Sequence, residues 1–432
     1  MITQEAAEEL VATYIRLWHD AWQSLRERYQ NDEFDFADWA ALVEALDGVH
    51  FVPGANSGSA GSYGTPATHD PAIERIVAFA SDGRDAARVE TQGKNVVTSY
   101  WEYEIVAHAG APKLKKIRRY FDAKGTPVVD AVAAAQILAV PTPDAPLGEL
   151  ERGFDPNGDA LFESGREVTL GAEKATIEVR SLGELVTKTG VLSVIDFGYD
   201  ARGMAPFTRR LSPGAYPVDA CIVGGRVAAL RVRISDAPVA RWHAARFGSG
   251  GHVVGVDAAN VALFDVGAFV QLDAWTKERL FETYVDLDRR PIASSMTLRD
   301  AGDGVIVETG FGDGAYPCYW GVDANGDIAR LFIDFLMLGD FLEESCTIAW
   351  TGGNIVHPLL SEWGVELEID GAELVVRGGA FKHAIVTQGE ATLDTRRAGL
   401  RVRGDERRHD FEEDLEPPLA IQVTLTTGFR NP

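Results

Sequence analysis

Hydrophobic positions along this chain repeat first at helical spacing and then at strand spacing. From Thr3 to Tyr29, Leu10, Tyr14, Leu17, Trp18, Ala21 and Leu25 recur at three- and four-residue steps, which predicts an amphipathic helix with one buried face. Thr3 is placed to cap it, and Glu5, Glu8 and Glu9 suit the positive end of the helix dipole. A second helix is predicted over Phe36–Leu46, following Asp35. Pro53–Pro66 (PGANSGSAGSYGTP) has no periodicity and lacks the GK[ST] ending of a phosphate loop, so a mobile loop is expected. Ala87–Thr91, Val97–His108 and Leu114–Asp122 read as strands separated by turn residues such as Gly110-Ala111-Pro112. In Ser99–Val106 the rings Tyr100, Trp101 and Tyr103 lie among charged neighbours, as in a strand with one solvated face. Helices followed by a long antiparallel sheet make an α+β order, with the helix packed across a curved sheet.

Residues 123–149 turn alanine- and proline-rich and end in VPTPDAPLG, Val140–Gly148. Prolines 141, 143 and 146 block helix and ladder alike, which marks a connector. Beyond it, short β-rich runs dominate: Val168–Leu170, Ala175–Val179, Val191–Asp196, Val218–Val223, Val227–Ile234, Asn260–Asp265 and Gly304–Glu308. In Arg226–Ile234 the period is two, predicting one buried face and one face carrying Arg231 and Arg233. A helix at Ala274–Tyr284 interrupts the strands. The tail reads as further strands at Val365–Ile369, Glu373–Val376, Ala384–Val386 and Ile421–Leu425, with turns at Asp370-Gly371 and Gly378-Gly379 and a charged loop over Arg407–Pro418. At 432 residues two or three domains are expected. The pattern divides the chain into 1–122, a connector over 123–149, a mostly antiparallel β-rich domain over 150–344, and a β-rich region over 345–432.

Two stretches carry family resemblances. HDPAIERIVAF (His69–Phe79), RVETQ (Arg88–Gln92) and YWEYEIVAHAGAPKLKKIRRYFD (Tyr100–Asp122) resemble the NTF2-fold immunity proteins of bacteria, above all in the closing Arg118, Arg119, Tyr120 and Phe121. That resemblance implies an NTF2-like cone between helix and sheet, with Tyr14, Trp18, Trp101, Tyr103 and Tyr120 placed to line it. PFTRRLSPGAYPV (Pro206–Val218), RVAALRVRISDAPVARW (Arg226–Trp242), VDAANVALFD (Val256–Asp265) and GFGDGAYPCYWGVDANGDIARLFIDFLML (Gly310–Leu338) resemble the bacterial domain-of-unknown-function family 4241. The third block departs from it: Ala258, Ala259 and Asn260 stand where a serine–glycine or similar small turn is expected after Val256-Asp257.

Composition is ordinary for a globular protein, but the net charge of −24 is not. Acidic residues outnumber basic ones in each region, so no single tail is responsible. Such a field disfavours nucleic acid and anionic membrane and favours basic partners. Cys221, Cys318 and Cys346 lack CxxC spacing, which suits a reducing cytoplasm and neither a disulfide scaffold nor a zinc ribbon. The acidic amphipathic start is unlike a signal peptide, and no apolar run is long enough to span a bilayer.

Candidate chemistry is sparse. Asp155–Asp159 and Asp323–Asp327 share the pattern Asp-x-Asn-Gly-Asp, but glycine sits at position four rather than six of a calcium loop, so hairpin turns are expected. The nine histidines form no HxH or HExxH pair, no GxSxG elbow exists, and the glycine-rich Phe247–Gly255 lacks dinucleotide spacing. His19-Asp20 on the first helix points in two directions about 100° apart. Glu308–Leu338 crowds glycines beside Phe311, Tyr316, Tyr319 and Trp320, with Asp313 among them. Asp313, Tyr316, Tyr319, Trp320 and Asp257 are therefore candidate binding residues, and Arg209-Arg210 a candidate anion or carboxylate clamp. No catalytic residue, metal ligand or cofactor motif is identified.

The leading expectation is a cytoplasmic, immunity-type binding protein that neutralises a cognate, basic toxin domain by occlusion, with nucleic acid and membrane excluded as partners. The alternative is a small-molecule-binding protein, or an enzyme of hydrolase or isomerase type, using the cone or a pocket around Asp313, Tyr316 and Trp320. A third reading is a scaffold for oligomerisation.

Overall fold

The fold comes from a computed structural model that describes residues 1–430 except 151–153, 157, 172, 199–203, 286–290, 379–380, 389–390, 397, 404–405 and 412–413; for 154–155, 340–344, 399, 403 and 426–430 it describes the backbone alone. The chain forms two compact units. The first comprises Met1–Val128 together with Asp273–Arg279, and the second Val129–Leu272 with Leu280–Pro432. No helix among the described residues is long and apolar enough to cross a membrane.

In the first unit α1 (Gln4–Gln30) and α2 (Phe36–His50) pack on an antiparallel sheet of β1 (Arg75–Ser81), β2 (Ala86–Lys94), β3 (Thr98–His108) and β4 (Ala111–Tyr120), in that order. The Thr3 hydroxyl accepts from Ala6 N and caps α1, and the Asp35 carboxylate accepts from Ala37 N and caps α2. The buried seam of α1 runs Ala7, Val11, Tyr14, Ile15, Trp18, Trp22 and Leu25, turned from the expected face, so Leu10, Leu17 and Ala21 are only half-buried. The apolar stripe is wide, and packing against both α2 and the sheet selects its centre.

Two expectations for this unit are corrected. The loop Pro53–Pro66 is pinned rather than loose. Ser57 donates N–H and O–H to the buried Asp47 carboxylate, Trp39 Nε1 donates to Ser59 O and Ser62 O, and Trp22 Nε1 donates to Gly64 O. Small residues here let the indoles reach backbone carbonyls. The face of β3 expected to be solvated is also covered at its centre, with Tyr100, Glu104 and Val106 left half-buried. Glu102 is fully buried, bonded to Arg118 at 3.2 Å and to Arg279 at 2.5 Å. Trp275, from the distant segment Asp273–Arg279, stacks on Tyr120 at 4.0 Å and 7° and donates Nε1–H to Asp122 O. With Arg88 at 3.7 Å as a third partner, the arginines around the buried Glu102 carboxylate offset the cost of removing it from water.

The second unit is built of antiparallel sheets. Its largest has the order Arg241–Ala244, Gly314–Val322, Ile328–Asp334, Arg226–Arg233, Gly214–Val223, Glu178–Thr187, and Val253–Val256 also pairs with Gly314–Val322. A four-stranded sheet of Ala293–Met296, Gly304–Glu308, Asn260–Asp265 and Leu192–Ile195 shares a core with it through Leu230, Leu263, Val305 and Trp320. Arg226–Arg233 is a central strand buried on both faces, not the two-faced strand expected from its period. A register shift against Gly214–Val223 switches faces near Val227, and Arg231 is absorbed by Asp219, Asp159 and the Phe162 ring at 4.1 Å.

Within the residues expected as a connector, Ala131–Ala139 is a helix capped by Asp130, and it stops before Pro141. Thr142 and Gly148 then exchange backbone hydrogen bonds with Thr208, Arg210 and Ala244. The C-terminal strands form two more sheets around Leu374, Phe381, Val386, Ile421 and Val423. Glu406–Asp410 pairs with both Glu373–Arg377 and Gly399–Arg403, so the segment expected as a charged loop begins as a strand. Its charges meet cross-strand partners, Arg408 lying against Glu373 and Asp370. Gly379 lies outside the described residues.

Candidate functional site

The first unit carries a buried polar cluster inside an aromatic cage. Tyr14, Trp18, Trp101 and Tyr103 bring their rings within 6.2 Å of the His69 ring. His69 and Glu74 are almost wholly buried, and Thr91 is fully so. The Glu74 carboxylate accepts from His69 Nδ1 at 2.8 Å, Tyr103 OH at 2.7 Å and Thr91 Oγ1 at 2.5 Å. An ionised carboxylate only accepts, which places the His69 proton on Nδ1. His19 Nδ1 in turn donates to the His69 carbonyl at 3.0 Å. Burial, followed by the Glu74 charge, pushes the Tyr103 phenol well above its ordinary pKa, and burial with Asp47 does the same for Tyr14. Both rings therefore remain protonated donors.

Beside this cluster, between the sheet and the segment Pro66–Glu74, lies a cavity of about 230 Å³. Its wall includes Glu74, Gly93, Ser99, Trp101 and Arg119, with the loop around Pro66–Asp70 opposite. Gly93 permits the opening: a Cβ there would lie 3.2 Å from the Trp101 ring and 3.4 Å from Glu74 Cα. Register places Ser99 opposite Gly93, and Trp101 between Thr91 and Arg119, so these residues share the inner face. Trp101 Nε1 is buried without a hydrogen-bond partner. Burial draws the Arg119 guanidinium below its ordinary pKa, with Glu74 opposing. Val96 and Val97 stand exposed at the rim, as does Phe121 beside Arg119.

The residues expected to line the cone divide. Tyr14, Trp18, Trp101 and Tyr103 share one hydrophobic core between the helices and the sheet, whereas Tyr120 faces the other side of the sheet against Trp275. Odd–even alternation in β4 puts Tyr120 and Arg119 on opposite faces, which is the reason for that correction. His19 and Asp20 separate as expected, Asp20 pairing with Arg16 at the surface. His69, Glu74, Thr91 and Arg119 had no role assigned from sequence, although all four fall inside the stretches His69–Phe79, Arg88–Gln92 and Tyr100–Asp122.

In the second unit the expected binding residues do not converge. Tyr316 and Trp320 lie in one core and Tyr319 in another, on the opposite face of the strand. Tyr316 OH donates to Gly312 O at 2.7 Å, while Asp313 is exposed at the turn. Arg209 donates to Ala145 O and Arg210 to Thr189 O, so the two guanidinia are used separately on backbone. Asp257 is exposed, and its N–H bonds the buried Asp196 carboxylate, which also takes Ala258 N–H. Ala259 in that turn has φ of 53°, the left-handed conformation a glycine would favour. Asp323 caps its own turn through Asn325 N and Asp327 N, with Gly326 at φ 89°, as a hairpin requires. Of the other Asp-x-Asn-Gly-Asp segment, Asn157 and the Asp155 side chain lie outside the described residues. Cys318 is fully buried, and burial pushes its thiol far up.

Residues 185–333 match the family described as "Protein of unknown function (DUF4241)". No curated protein matches the chain, and no solved structure does.

Proposed function

We propose that the first unit is a small-molecule-binding module whose site is the open end of its cone. The observation that carries this is the cavity of about 230 Å³ between Trp101, Glu74 and Arg119, backed by a rigid, hydrogen-bonded cluster. Its size lies below the roughly 300–1,000 Å³ of drug-sized sites, so a compact ligand fits. The cluster serves to hold Trp101 and the cavity floor in one arrangement. A fragment screen by ligand-observed NMR tests the reading. Fragments that compete with one another on the wild-type chain are expected, and Gly93→Val, confirmed folded by circular dichroism, is expected to abolish their binding. Absence of competing fragments, or fragments indifferent to Gly93→Val, would contradict it.

A second reading keeps the immunity-type function: the cytoplasmic chain occludes a basic toxin domain, in line with the NTF2-like resemblance of the first region. The feature favouring it is the net charge of −24, with Glu5, Glu9, Asp20 and Glu27 exposed along α1. A toxin domain mixed with the chain should co-elute in gel filtration, with affinity falling as salt rises. Separate elution of the two at low salt counts against this reading.

A further inference from the structure

The cavity mouth carries a positive charge that no described carboxylate pairs directly, Glu74 acting on it only from a distance. Arg119 lies with its guanidinium 5.7 Å from the centroid of the Trp101 ring and 4.9 Å from that of Phe121. Its Nε and Nη2 both donate to Ser99 Oγ, at 3.1 and 2.8 Å. Two aromatic rings and one hydroxyl thus hold the fork, and its other N–H groups have no protein acceptor among the described residues. Neighbouring arginines of the same sheet differ: Arg88 pairs with Asp82, and Arg118 with Glu102 and Glu104. Acidic side chains are in large excess in this chain, yet none of those described pairs with Arg119.

We propose that Arg119 receives the carboxylate of a small monoanionic organic acid whose apolar body lies against Trp101; this rests on the reading of the cavity as a binding site. A planar, held guanidinium matches two coplanar carboxylate oxygens. Asp70 and Glu74 also line the cavity, so a dianionic phosphate meets more repulsion than a single carboxylate. Pro66, Ala67, Ile73 and Val97 make much of the remaining wall apolar. At roughly 30 Å³ per water, the space holds about eight waters, which suits a one-ring acid.

Titration calorimetry on the full chain, with benzoate, benzamide and phenyl phosphate as probes, tests this. Benzoate is expected to bind with a Kd of about 0.1–1 mM, the range for so small a ligand. Benzamide and phenyl phosphate are expected to bind at least about tenfold more weakly, and Arg119→Gln to weaken benzoate by at least about tenfold while leaving benzamide unchanged. Arg119→Lys should fall between, because it keeps the charge and loses the fork. Arg119 is exposed, so both variants should fold, as circular dichroism would verify. Equal affinity for benzoate and benzamide, tighter binding of phenyl phosphate, or indifference to Arg119→Gln overturns the carboxylate assignment and leaves the cavity reading standing. No heat with any probe overturns the proposal, and the fragment screen then decides whether the cavity reading falls with it.

Discussion

Replacing Glu74 by glutamine tests whether the buried cluster holds the core of the first unit together. The carboxylate accepts three hydrogen bonds, from His69, Tyr103 and Thr91. Bonds to a charged group contribute about 1.5–3 kcal/mol each. In Glu74→Gln the remaining carbonyl oxygen can still serve Tyr103 and Thr91, more weakly because the charge is gone. The new amide nitrogen then faces His69 Nδ1–H across 2.8 Å, donor against donor. A tautomer switch at His69 relieves part of that clash. The expected loss is therefore about 2–4 kcal/mol, and Glu74→Ala, which strands all three donors, should lose more. Urea unfolding followed by tryptophan fluorescence reads this directly, since Trp18, Trp22, Trp39 and Trp101 sit in the same core. The midpoint should fall with the slope unchanged, and hydrogen exchange should quicken in β2 and β3. A loss below about 0.5 kcal/mol, the range of a surface substitution, would refute the reasoning.

Gly190→Ala should destabilise the second unit by more than about 2 kcal/mol, because φ is 72° and a Cβ would meet Leu211 O at 1.9 Å; an unchanged melting temperature would contradict this. Ala259→Gly should stabilise the same unit by about 0.5 kcal/mol, the left-handed strain outweighing the entropy of glycine, and a lowered urea midpoint would contradict it. Asp394, bonded by Arg396, should titrate at about 2 by carboxylate NMR and return towards the ordinary range in Arg396→Gln. Its folded pKa is depressed, so its contribution is present above the ordinary carboxylate pKa and disappears as pH falls towards 2; a midpoint unmoved by Arg396→Gln would contradict the pairing.

Local periodicity made much of the fold legible. Thr3 acts as a cap where the sequence places it, and Asn260–Asp265 and Gly304–Glu308 are strands with the expected bounds. What escaped depends on contacts far apart in sequence. Trp275 meets Tyr120 across some 150 residues, so nothing near Tyr120 marks its face as covered. Arg226–Arg233 alternates like a half-solvated strand, but a hydrophobic core packs on each of its faces. The rings of Trp101 and Tyr103 stood out by size, whereas His69 and Glu74 are inconspicuous in sequence until folding sets them among those rings. Arg119 is one of two adjacent arginines, and only the strand's alternation tells the paired Arg118 from the unpaired Arg119.

The central proposal is the binding of an organic carboxylate to Arg119 at the cavity mouth. A crystal of the full chain soaked in benzoate tests it most directly. The account predicts density in the cavity beside Trp101, with both carboxylate oxygens about 3 Å from Arg119 nitrogens. A benzoate bound elsewhere, or lying in the cavity with its carboxylate turned away from Arg119, would contradict it.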